Sequence, residues 1–180
     1  MVDEATDAEL VERCRNGDRG AFDRLVRRHE RPVYHLALRM LRSPEDARDV
    51  VQMAFLKAWE RLHAYDPQYK FFSWLYRIAV NESLDQLQRR RRFEPVDEQL
   101  ADDGVGPERE LGDSELAAGI DREIRRMKPE HQAVLLMKHF AGCSYQDIAQ
   151  ALELPEKTVK SRLFTARQQL RDALARAGLL

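Results

Sequence analysis

Residues 144–170, SYQDIAQALELPEKTVKSRLFTARQQL, hold two helical patterns separated by a break. Ser144 followed by Asp147 three residues on is a helix cap, and Ile148, Ala149 and Leu152 carry a short apolar face away from it. Leu154-Pro155 interrupts that face, because a residue preceding proline is pushed out of the helical region. A second helix is expected from about Glu156 to Ala175. A helix over Tyr145 to Leu152, a tight turn and a second helix have helix-turn-helix proportions. Val159 and Leu163 would face inward and lock the pair, and Ala149 is small where the second helix must approach closely. The outward side offers Lys157, Lys160, Ser161, Phe164, Thr165 and Gln168, whose early members can reach base edges in a major groove. Arg162, Arg167 and Arg171 are better placed for phosphates. The competing reading is a plain helical hairpin with a solvated basic face.

The same punctuation runs through the rest of the chain, which reads as all-α. Pro129-Glu130 starts a helix bearing Val134, Leu135, Met137 and Phe140, with Gly142 as its stop. Leu116, Ile120, Ile124 and Met127 support another helix before it. Near the N-terminus, Thr6 and Glu9 have capping-box spacing, with Gly17 as a stop. A helix expected from about Asp18 bends or restarts at Pro32. Ser43-Pro44 opens a helix to Leu62 whose stripe of Ala47, Val50, Val51, Ala54, Phe55, Ala58, Trp59 and Leu62 is assigned to the core. Its far side carries Asp46, Asp49, Gln52, Met53, Leu56 and Lys57, a mixture suited to protein docking or to a merely solvated face. After Asp66-Pro67, a helix is expected from about Ser73 to Arg92.

Charge divides the chain into blocks that a formal net charge of −1 conceals. Arg89 to Arg92 form a basic run, the stretch from Glu94 to Gly112 is acidic and aperiodic, and the last third is basic again. The expected organisation is two small helical domains, 1–93 and 115–180, joined by an acidic flexible linker, 94–114. Ahead of the arginine run, Phe71, Phe72, Trp74 and Tyr76 put four aromatics in six residues, and Trp74, Arg77, Asn81 and Asp85 follow at helical steps. Rings beside guanidinium and amide groups can stack on unpaired bases. The alternative is that these rings are core and the arginines a wet helix end.

Other chemistries find little support. Cys14 and Cys143 lack ligand spacing, so neither a disulfide framework nor a zinc site is expected, and Cys143 reads as a buried thiol rather than an oxidant sensor. The five histidines are scattered, with no phosphate loop, nucleophile elbow or paired-carboxylate motif, so no enzyme, metal or cofactor is expected. The acidic N-terminus is unlike a signal peptide and no apolar run reaches membrane-spanning length, so a cytoplasmic protein without membrane insertion is expected.

The segments Asp46-Ala47-Arg48-Asp49-Val50-Val51-Gln52, Phe55-Leu56-Lys57-Ala58-Trp59, Trp74-Leu75-Tyr76-Arg77-Ile78-Ala79 with Asn81, Ser144-Tyr145-Gln146-Asp147-Ile148-Ala149 and Thr158-Val159-Lys160-Ser161-Arg162-Leu163-Phe164 resemble, in that order, the extracytoplasmic-function (ECF) sigma factors of bacterial RNA polymerase, of the RpoE-like group. The resemblance runs from about Leu10 to Leu174. It implies that the first domain binds the β′ clamp of core polymerase through Asp46, Asp49, Gln52, Met53 and Leu56. It further implies capture of the minus-ten strand, with melting, by Lys70, Phe71, Phe72, Trp74, Arg77 and Asn81. The second domain would read the minus-thirty-five element through Lys157, Lys160, Ser161, Arg162, Phe164, Thr165 and Arg167, and touch the β flap. The acidic linker would thread a nucleic-acid channel, and an anti-sigma factor would be a further partner. Thr165 stands where many members carry arginine, Lys157 replaces a common glycine and Met53 a frequent glutamate. The alternative is a stand-alone helix-turn-helix regulator whose N-terminal helices dimerise or sense a ligand.

Overall fold

The computed structural model describes residues 5–93 and 115–179, and its regular elements are helical throughout those residues. The chain forms α1 (Asp7–Arg15), α2 (Arg19–Leu41), α3 (Pro44–Glu60), a 3-10 turn (Leu62–Ala64), α4 (Phe71–Phe93), α5 (Glu115–Arg126), α6 (Pro129–His139), α7 (Tyr145–Ala151) and α8 (Glu156–Arg176). The acidic segment expected as a linker lies outside the described residues.

Local chemistry sets most of the boundaries. The Thr6 and Glu9 side chains cap α1 reciprocally, Asp18 accepts from the Ala21 amide to open α2, and Ser43 accepts from the Asp46 amide beside Pro44 to open α3. Ser144 and Asp147 form a second reciprocal cap at α7. Gly17 turns the chain after α1 at φ +93°, and Gly142 after α6 at φ +65°, where a side chain would be strained. The turn between α7 and α8 places a non-glycine residue, Glu153, in the left-handed region at φ 51°.

Of the bend or restart expected at Pro32, the restart does not occur. α2 is continuous through it. One missing amide donor is outweighed by an unbroken buried stripe, with Leu25 and His29 before the proline and Val33, Leu36, Ala37 and Met40 after it. α4 also begins two residues earlier than the sequence suggested, because Phe71 is already in the core at 1% exposure.

Helices α1–α4 form one bundle and α5–α8 a second. The two meet: α2 and α4 of the first pack on α5, α6 and α7 of the second. The α6–α7 loop sits at this junction, with Ala141 and Cys143 buried.

Candidate nucleic-acid and polymerase interfaces

The outer side of α3 carries an exposed apolar strip of Met53, Leu56 and Trp59. Asp49 and Gln52 are exposed along it. Trp59 is 40% exposed and meets Phe22 edge-on, with ring centres 4.9 Å apart, so it is only half a core residue. The sequence pattern assigned it wholly to the core. Asp46, expected on the same docking face, is engaged from the other side. Its carboxylate accepts from Gln86 Nε2 at 2.7 Å and pairs with Arg90, so it faces α4 and not the outer surface. Lys57 is similarly engaged, with Glu82. At about 100° per residue, Asp46 and Lys57 lie at one edge of the face and Trp59 at the other. α4 covers the first edge and leaves the second open.

The aromatic run after the Tyr65–Lys70 loop splits between support and surface. Phe71 and Tyr76 are buried, while Phe72 and Trp74 are half-buried. Phe71, expected to contact the strand, is buried at 1% exposure. It touches the rings of Tyr65 and Trp74, each at 5.7 Å, and so backs Trp74 from behind. Phe72 lies nearly parallel to His29, with ring centres 5.4 Å apart. Burial pushes the Tyr76 phenol up to about 12, so it stays protonated, and its hydroxyl donates to the Pro32 carbonyl at 3.4 Å. The loop itself is braced: Arg15 donates to the carbonyls of Leu62, at 3.1 Å, and Tyr65. Asp66 Oδ1 accepts from the Gln68 amide at 2.9 Å. On that loop Tyr69 is 49% exposed beside exposed Lys70, a ring the sequence reading passed over. Its position directly before Lys70, ahead of four other aromatics, was the available signal.

On α8 the buried side is formed by Val159, Leu163 and Ala166, as the helix-turn-helix pattern requires. Lys157, Lys160, Ser161, Phe164 and Arg167 are exposed together, and Phe164 reaches 64% exposure. A phenylalanine so uncovered on a cationic face has no core role. Lys160 pairs with Glu156 at 2.7 Å and lies over the Tyr145 ring at 5.5 Å. That pair raises the Lys160 ammonium above its ordinary value, keeping it charged. Arg167 Nε donates to His139 Nε2 at 3.2 Å. Burial, with Arg167 and Lys138 nearby, lowers His139, which suits its role as acceptor. Thr165 is half-buried at the border of the face.

Arg162 departs from this group. It lies five residues from Lys157, about 140° round the helix. Its side chain lines a cleft at the junction of the bundles with Asn81, Asp85, Glu130 and Glu153. Arg162, expected on the recognition face, is thus half-buried beside this cleft. Asn81 is also committed there, since its Nδ2 donates to the Ala151 carbonyl at 3.0 Å. Two helical turns earlier, Ser73 Oγ donates to the Ala141 carbonyl at 2.7 Å. Half-buried Arg77 lies between Ser73 and Asn81 along α4.

Among the described residues no group of three or more His, Cys, Asp or Glu side chains could hold a metal ion, and no helix is long and apolar enough to cross a membrane. Comparison with known proteins finds Sigma-70 region 2 over residues 25–93 and Sigma-70, region 4 over residues 118–170. The RNA polymerase sigma-H factor of Pseudomonas aeruginosa is 33% identical over 97% of this chain and 96% of its own length. The ECF RNA polymerase sigma-E factor of Haemophilus influenzae is 34% identical over 97% of this chain and 98% of its own. Among solved structures, CnrH in complex with the cytosolic domain of CnrY is similar, with a TM-score of 0.64 and 26% identity over 94% of this chain and 97% of that one.

Proposed function

This chain belongs to the ECF sigma factors of bacterial RNA polymerase, and we propose how its surfaces divide that family's work. As a sigma factor it directs core polymerase to promoters. The Met53, Leu56 and Trp59 strip, with Asp49 and Gln52, is the polymerase-docking face, a half-apolar surface rimmed by polar groups. Tyr69, Lys70, Phe72, Trp74, Arg77 and Asn81 take the displaced minus-ten strand, with Phe71 behind them. Lys157, Lys160, Ser161, Phe164 and Arg167 meet the minus-thirty-five duplex. An anti-sigma factor is a further partner on this reading.

The chemistry of RNA synthesis is the core enzyme's, and this chain supplies the address and the melting. Neutralising phosphates makes the affinity salt-sensitive, and each good bidentate base contact adds about 1–3 kcal/mol of selectivity. Unstacking a promoter base costs a few kcal/mol. Stacking on a ring such as Trp74 returns about 1–3 kcal/mol per base. The two terms balance, so opening without ATP is energetically reasonable once docking has placed the strand.

The observation that carries this reading is the combination on one chain of two sigma-region matches with a cationic recognition face carrying a bare Phe164. The test adds the purified full chain to core polymerase and maps transcript starts on a library of promoter fragments. New, chain-dependent start sites are expected. Tight protection of a palindrome without polymerase, and no new starts, would instead identify a stand-alone regulator.

A further inference from the structure

Phe72 and Trp74 are both half-buried on the strand-capture face, and different supports hold them. Trp74 leans on the buried rings of Tyr65 and Phe71. Phe72 rests on Tyr76, with ring centres 4.5 Å apart, and on His29 of α2, at 5.4 Å with 28° between the planes. Tyr76 is itself tied to the Pro32 carbonyl.

His29 is a polar ring in a buried apolar stripe, with Ala21 and Leu25 before it and Val33 and Leu36 after it, and it is only 7% exposed. An aliphatic side chain would fill the position without the cost of burying a polar group. The imidazole offers two things such a chain lacks. Its flat face meets Phe72, and its Nε2 lies 2.9 Å from Asp7 Oδ2. Asp7 is in turn held from two sides. It sits in the first turn of α1, directly after the Thr6 cap, and its Oδ1 accepts from Arg28 Nη1 at 2.7 Å. Arg28 Nη2 donates to the Ala5 carbonyl at 2.9 Å, which fixes the guanidinium as well. An imidazole bonded to so constrained a carboxylate cannot turn its plane without breaking that bond.

We propose that Asp7 and His29 are positioning residues for strand capture: the carboxylate fixes the plane of the imidazole, and the imidazole holds Phe72 where a displaced minus-ten base stacks on it. A base gains more from a ring already in place than from one it must first order. Helix α1 thereby takes part in promoter opening without touching DNA through Asp7. That Phe72 meets the strand rests on the function proposed above.

The test is a double-mutant cycle with the full-length chain on core polymerase, at a promoter recovered by mapping transcript starts. The rate at which unpaired thymines become reactive to permanganate reports opening, and footprinting of the closed complex reports duplex binding. Phe72→Leu is expected to slow opening about 10-fold, the loss of one stacked base. His29→Leu, which keeps the stripe filled and apolar, and Asp7→Ala are each expected to slow it about 3- to 10-fold, the scale of one aromatic contact. Closed-complex binding should be unchanged. In a Phe72→Leu background neither should slow opening further, whereas in a Trp74→Ala background both should act with their full factor. A loss that came from general loosening of the fold, or through Phe71 and Trp74, would instead persist when Phe72 is gone. If His29→Leu lowers the melting temperature, His29→Gln, which keeps a donor for Asp7 but not the flat ring, is read in its place. A slow Phe72→Leu beside native opening in His29→Leu or Asp7→Ala, or losses that multiply with Phe72→Leu, overturns the proposal alone. Native opening in Phe72→Leu itself strikes Phe72 from the proposed function and overturns the proposal with it.

Discussion

The side-chain amide of Asn81 donates to the backbone carbonyl of Ala151 at 3.0 Å, joining the middle of α4 to the last residue of α7. The polar group best placed on α4 to read a base is therefore turned inward. Asn81→Ala removes this bond and the proposed base contact together, so its effect on the isolated chain and on the polymerase complex should differ. In the complex, Asn81→Ala and Trp74→Ala are both expected to slow promoter opening about 10- to 100-fold, the loss of one 1–3 kcal/mol stacking or amide contact. Duplex binding should fall less than threefold. Permanganate reactivity of unpaired thymines, compared with footprinting of the closed complex, checks the split. Equal losses in both would assign these residues to duplex binding.

The docking strip makes a separate prediction. Leu56 is half exposed in the free chain, so burying its remaining apolar area against a partner contributes about 1 kcal/mol. Leu56→Ala should weaken association with core polymerase about fivefold, and Leu56→Arg by more than tenfold, since it adds an unpaired charge to a dry contact. Neither should lower the melting temperature appreciably, because the side chain is outside the core. Competition against a labelled sigma factor measures the first effect and thermal melting the second. Trp59→Ala should weaken docking too, but with some loss of stability from its edge contact with Phe22.

The sequence carried the parts of this structure that are decided locally. The Ser144 cap and the break at Leu154-Pro155 lie within twelve residues of each other, and the α7–α8 pair follows from them alone. The all-helical class and the sigma-factor resemblance were legible for the same reason, since each motif occupies one helix. Partner helices were not legible. Asp46 and Lys57 sit at the edge of an outer face by periodicity, and only the packing of α4 engages them. Arg162 belongs to a basic helix by composition, yet its angle turns it toward the cleft. Phe71 stood in a cluster whose inner and outer members one helix cannot distinguish. Pro32 carried a strong local signal that long-range burial overrode. The apposition of the two bundles depends on pairs such as Arg39 and Asp121, 82 residues apart, and no periodicity reports them.

Acid should expose the clasp between α1 and α2. Asp7 accepts from Arg28 Nη1 at 2.7 Å and lies 2.9 Å from His29 Nε2. Burial pushes its carboxyl up, but His29 and Arg28 outweigh that and hold it below its ordinary value. A depressed folded pKa means the clasp contributes fully above the ordinary carboxylate range, near pH 4, and fades as pH falls through the lower folded value. Asp7→Asn should cost about 1 kcal/mol at pH 7, a figure kept low because the side chain is a quarter exposed. The difference from the native chain should shrink as pH falls below the ordinary carboxylate range and through the lowered folded value. Urea midpoints across that range measure it, and a pH-independent difference would show that packing, rather than charge, is responsible.

The turn of the helix-turn-helix offers a gain instead of a loss. Glu153 is held at φ 51°, and a left-handed conformation costs a residue with a side chain about 1–2 kcal/mol. Glycine relieves that strain but gives back part of it through its greater freedom in the unfolded chain. Glu153→Gly should therefore raise stability by about 0.5–1 kcal/mol, seen as a higher urea midpoint with unchanged slope. The reverse holds one turn earlier: Gly142, at φ 65° with open space around its Cα, should lose about 1–2 kcal/mol as Gly142→Ala from backbone strain alone. The pair of opposite signs isolates the backbone term, because neither substitution creates or fills a cavity. If Glu153→Gly instead destabilises the chain, the side chain contributes more to the turn than its backbone strain costs, and Glu153 would then be a structural member of the cleft it borders with Arg162.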